Sequence, residues 1–145
     1  MLSPEPQRPD PRRQAVRDVL RETANVINGS GPVELILEAV CSRLLRAADA
    51  SEVTLALAGA HGSSVRWRRT RTSFTAVDEI VDDPAARAVL IDGLPRVERE
   101  RAYAPLRDDG RVSGAVWMRA RHGVYDEDAL ALCEAFAGYL SLALQ

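Results

Sequence analysis

The chain contains no lysine; all 19 of its cations are arginine. That absence excludes a catalytic lysine, a Schiff base and a lysine-dependent phosphate loop. Cysteine is nearly absent too. Cys41 and Cys133 stand far apart, with none of the close, paired spacing of a disulfide-stapled domain. Aromatics make up 5% of the residues, too thin a supply for a stack of base-binding platforms. No run of about 18 uncharged apolar residues exists to cross a bilayer. Residues 1–10 hold no apolar segment of the signal-peptide kind. The protein is therefore expected to be cytoplasmic, with no membrane partner. The charges nearly cancel, 19 basic against 21 acidic for a net −2, which argues against nucleic acid as a partner.

What is present is a chain of 145 residues, 46% hydrophobic and 28% charged, the size and composition of one soluble domain. Pro4, Pro6, Pro9 and Pro11 crowd the start, so residues 1–13 read as a disordered tail and 14–145 as the domain. Asp10-Pro11, Gly31-Pro32 and Asp83-Pro84 repeat one helix-start signal. Proline lacks the N–H that the first helical turn leaves unpaired, and the residue before it can cap the turn. Helices are expected over about 11–27, 32–48 and 84–91, the last closed by Gly93.

Between them the apolar period falls from 3.6 to 2. Val53, Leu55 and Leu57 alternate with Thr54, Ala56 and Ala58 as in a strand. A connection over 59–63 leads to a second strand alternating Val65, Trp67, Arg69 and Arg71 with Arg66, Arg68 and Thr70. Residues 72–83 read as mostly loop. A short strand is expected over 96–100. Strands at 103–107 and 111–120 flank Asp108-Asp109-Gly110, a strong hairpin signal. A final helix begins near residue 126, capped by Asp126 or Asp128. Tight turns between neighbouring strands imply an antiparallel sheet, and the order of elements an α+β domain.

Ala104-Pro105-Leu106-Arg107-Asp108-Asp109-Gly110-Arg111-Val112-Ser113-Gly114-Ala115-Val116 resembles the strand–hairpin–strand of GAF domains. Tyr125-Asp126-Glu127-Asp128-Ala129-Leu130-Ala131-Leu132 resembles the aromatic, acidic cap and Leu-x-x-Leu helix that follow it in that family. The order of elements over 14–145 fits as well. The resemblance implies a central antiparallel sheet, with N- and C-terminal helices on one face and a small-molecule pocket on the other. It implies a sensory or regulatory module in signal transduction. The lysine of the cyclic-nucleotide signature is missing. Cys41 and Cys133 fall on terminal helices, away from a bilin or reductase pocket. The expectation is accordingly no catalytic residue, no metal and no cofactor.

For individual residues, both cysteines lie on apolar helical faces and read as core thiols. His61 and His122 sit beside glycines and read as exposed turn residues, without zinc-ligand spacing. Arg66, Arg68, Arg69 and Arg71 read as charges guarding a strand near the sheet edge, with an anion clamp as the alternative. Trp67, Arg69, Phe74, Tyr103 and Trp117 are the candidate lining of a pocket for an unknown small ligand. From Ala135 to Gln145 the last helix carries no charge, so both its sides need company. A homodimer through the terminal helices is expected, with output to a second subunit or a partner signalling protein. The alternatives are a scaffold that only dimerises, and a redox enzyme of the free-methionine-sulfoxide reductase type.

Overall fold

The computed structural model describes residues 33–58, 64–76 and 83–144. The expected tail, the helix over 11–27, and the connection carrying His61 lie outside the described residues.

Helix α1 (Val33–Ala47) buries Leu37, Val40, Cys41, Leu44 and Leu45, the 3-and-4 spacing of one helical face. Asp49, at φ 46°, reverses the chain into β1 (Ala50–Ala58). β2 is Ser64–Thr70 and β3 is Phe74–Ala76. Helix α2 (Pro84–Asp92) is followed by β4 (Arg96–Glu98), β5 (Arg101–Asp108), β6 (Arg111–Ala120) and helix α3 (Glu127–Ala143). The six strands among the described residues form one antiparallel sheet in the order β3-β2-β1-β6-β5-β4.

The turn chemistry accounts for the register. Asp109 and Gly110 both take positive φ, 50° and 78°. That is the two-residue turn whose twist matches the flanking strands, and it sets Asp108 opposite Arg111. The β2–β3 link is closed by side chains: Thr70 N–H donates to the Ser73 carbonyl at 2.8 Å, and their hydroxyls meet at 2.8 Å. Within 72–83, read as mostly loop, β3 adds a short strand that the sequence did not announce. Three residues are too few for an alternating pattern to register.

Two layers of helix cover the sheet. On one face α1 and α3 bury Leu44, Phe136 and Leu140 against Val53, Leu55, Val116 and Met118. On the other, α2 seats Ala85, Ala86 and Val89 over Tyr103 and Ala115, with Trp117 and Leu90 packed alongside. Strands β5 and β6 are thus covered on both sides, and β6 pairs with β1 at the centre of the sheet. Gly114 is required where β1 and β6 cross most closely: a Cβ there would stand 2.4 Å from the Ala56 carbonyl oxygen. Among the described residues no helix is long and apolar enough to cross a membrane.

Candidate functional site

The face away from α1 and α3 gathers the polar chemistry. Strand alternation aims Arg101 and Tyr103 of β5 to the same side, and Trp117 lies directly across from Tyr103 in the register. Their rings stand 6.2 Å apart at 32°. Thr54 is the next partner in the row, opposite Trp117. Its hydroxyl is buried with no hydrogen-bond partner among the described residues.

Asp83 ties α2 to this surface. One carboxylate oxygen, Oδ1, accepts the N–H groups of Ala85 and Ala86 at 3.0 and 3.3 Å and so caps the helix. The other, Oδ2, accepts the Tyr103 hydroxyl at 2.7 Å and Arg101 Nη1 at 3.1 Å. The far end of α2 is closed by Gly93 at φ 69°, whose N–H reaches the Val89 carbonyl. The Gly93 carbonyl in turn accepts Arg107 Nη2 at 2.6 Å. Arg96 pairs with Asp92 in the last turn. Burial, followed by the hydrogen bond to Asp83, holds the Tyr103 phenol well above its ordinary value, against an opposing pull from Arg101. Tyr103 therefore stays a neutral donor.

Beside this clasp opens a cleft of about 750 Å³, bordered by Asp83, Arg96, Glu98, Arg99, Arg101 and Tyr103. Its walls carry charge of both signs, so it suits a polar ligand with both donors and acceptors.

The five residues picked from the sequence do not share this surface. Tyr103 and Trp117 lie on it. Trp67 pairs with Leu55, and Arg69 with Val53 and Phe74, all on the face covered by α1 and α3. The two groups are separated by the thickness of the sheet. Arg69 meets Glu38 of α1 at 3.1 Å. The four-arginine run is divided as well: Arg68, opposite Thr54, points away from Arg69. β2 lies near the sheet edge, next to the three-residue edge strand β3, which pairs with Trp67–Arg69. Asp83 and Arg101 were not singled out as site residues. Their signals were the Asp-Pro helix start and the i, i+2 spacing of Arg101 and Tyr103.

Both cysteines are buried and free. Burial pushes the Cys41 thiol up to about 12, with a smaller opposing effect of Arg69. Cys133 is raised further, by burial and then by Glu134. Its thiol faces the Ala102 and Val116 carbonyls at 3.8 and 3.7 Å. Neither is poised as a thiolate. His122 is exposed. No group of three or more metal-binding side chains occurs among the described residues.

No protein-family model and no curated protein matches the sequence. Solved structures do match. The GAF domain of a phosphoenolpyruvate-protein phosphotransferase from Coxiella burnetii superposes with TM-score 0.70 at 17% identity, over 90% of this chain and 93% of that one. The fold is that of a GAF domain. A GAF domain from A. aeolicus, crystallised in an inactive state, gives 0.71 at 12% identity over 92% and 97% of the two chains. The free methionine-R-sulfoxide reductase of Neisseria meningitidis, solved with its substrate, gives 0.73 at 15% identity over 99% and 95%. This GAF-like fold thus matches both structures described as GAF domains and that of a reductase. Within it, the clasp and cleft lie on the sheet face away from α1 and α3.

Proposed function

We propose that this GAF-like domain is a regulatory sensor in signal transduction, not an enzyme. A small polar ligand enters the cleft beside α2, and the state of the domain passes to a second copy or a partner protein through the terminal helices. The observation that carries this reading is the Asp83 clasp. One carboxylate holds the start of α2, the Tyr103 hydroxyl and the Arg101 guanidinium together at the mouth of the cleft. A ligand that competes for Arg101 or Tyr103 loosens α2, and with it the cover over Trp117. Tyr103 and Trp117 are then the ligand-facing members of the original five. The crystallisation of one neighbouring GAF domain in an inactive state supports a switching role for the fold. The buried, high-pKa thiols support a non-enzymatic reading over a cysteine-based reductase.

The packing of α2 favours a second reading, a scaffold that dimerises without sensing. Ala85, Ala86 and Val89 already occupy the apolar part of the face. A thermal-shift and native mass-spectrometry screen of small polar metabolites, with Trp fluorescence as readout, separates the two. Sensing requires a ligand that raises the melting temperature and shifts the Trp emission. That response should weaken in Tyr103→Phe. A screen that stabilises nothing, with the dimer intact, leaves the scaffold.

A further inference from the structure

A second cleft lies on the opposite side of the sheet, at the end of α1. It is about 680 Å³, within the range of small-molecule sites. Arg46 of α1, Arg69 of β2 and Arg71 of the following turn line it, with Leu45 and Ala50 as an apolar floor and Asp49 as its one acid. Alternation along β2 puts Arg69 on the α1 side, Arg71 in the turn just beyond it lines the same cleft, and the last turn of α1 supplies Arg46. The sequence separates these guanidinium groups by more than twenty residues; the fold makes them neighbours.

Their charge is only partly answered. Arg69 Nη1 meets Glu38, while its Nε is buried without an acceptor among the described residues. Arg46 and Arg71 are exposed, and neither makes an ion pair or hydrogen bond among the described residues. The negative end of a helix would ordinarily oppose an anion here. At this end four carbonyls are already occupied. Leu44 and Arg46 accept the N–H groups of Ala48 and Asp49, Asp49 accepts that of Arg121, and Ala48 accepts the Tyr125 hydroxyl. The guanidinium charges are what an approaching ligand meets.

We propose that this cleft binds a small polyanion through its phosphate or carboxylate oxygens. Guanidinium forks match such oxygens in pairs, and Arg46 and Arg71 hold them from two sides. Asp49 is placed to accept a hydroxyl of the same molecule. Bound there, the anion bridges α1 to β2 on the side of the sheet that faces α1 and α3, apart from the α2 cleft.

The test is a titration of the whole chain with inorganic pyrophosphate and, separately, with citrate, followed by NMR. Saturable shifts are expected at Arg46, Asp49, Ala50 and Arg71. Arg46→Ala and Arg71→Ala should each raise the dissociation constant about tenfold. The exposed arginines Arg87 and Arg111, replaced by alanine, should leave it unchanged. Tighter pyrophosphate identifies a phosphoryl ligand, tighter citrate a carboxylate one, and either supports the site. No saturable binding overturns it. An equal loss in Arg87→Ala or Arg111→Ala also overturns it, because general charge attraction would then be the whole effect.

Discussion

Asp83 carries more of the α2 face than any other single side chain, because its two oxygens answer to different partners. Replacing it with alanine removes the cap, worth about 1 kcal/mol. It also strands the buried Tyr103 hydroxyl, a further loss of about 1–3 kcal/mol. Asp83→Ala should therefore lower unfolding free energy by about 2–4 kcal/mol in urea denaturation. Asp83→Asn keeps a capping oxygen and a partner for Tyr103. It should cost about half as much. Equal losses would mean that the charge on Arg101, not the geometry, holds α2. The thiols make a second prediction at this scale. Cys41 has its pKa raised from 9.0 in the open chain to about 12, so the folded state holds its proton longer. Its stabilising effect is complete below pH 9 and drains away as pH rises from 9 towards 12. Cys133 and Tyr103 shift in the same direction and add to the alkaline loss. In Cys41→Ala the fall of stability with pH in that window should be shallower by about 1.4 kcal/mol per pH unit. Unchanged slope would show that the thiol ionises freely in the folded protein.

At the scale of elements, legibility followed local chemistry. Helix α2 was readable to within a residue because Asp83 and Gly93 satisfy terminal backbone groups and Pro84 has no N–H to leave unpaired. The β5–β6 hairpin was readable because Asp109-Gly110 tolerates two positive φ values. β3 was not, since its pairing rests on a hydroxyl-closed turn rather than on its own pattern. The candidate site was half legible. Alternation sorts side chains to two faces, but a single sequence does not say which face of β2 matches which face of β5. That depends on the order β2-β1-β6-β5 and the registers between them. Trp67 and Trp117 therefore looked equivalent and proved to lie on opposite sides. Gly114 shows the same dependence on pairing. In isolation it is a glycine in a strand; beside Ala56 it is the one residue with room. Gly114→Ala would force the β1–β6 backbones apart and should cost about 1–3 kcal/mol or more, measured as a lower denaturation midpoint. A neutral result would mean that β6 can slide in register.

At the scale of the molecule, the two helical layers have different tasks. α2 closes one face through a clasp of four hydrogen bonds to Asp83, which single competitors can disturb. α1 and α3 share the larger core and cannot move without it. Any message leaving by those helices must be read on their outer sides. There α3 exposes Gly138 and, at 53%, Leu142, while α1 exposes Leu35 at 60%. A glycine lets a second helix approach closely, and large exposed leucines lose water when it does. If the proposed dimer uses this surface, Leu142→Glu should weaken association by at least about tenfold, the effect of burying an unpaired charge, while the monomer keeps its far-ultraviolet circular dichroism. Light scattering across a dilution series reads both states. A wild-type protein that is monomeric at micromolar concentration removes the dimer from either reading of function. A dimer indifferent to Leu142→Glu moves the interface to another surface, with α2 and its exposed Ile91 the next to be tested.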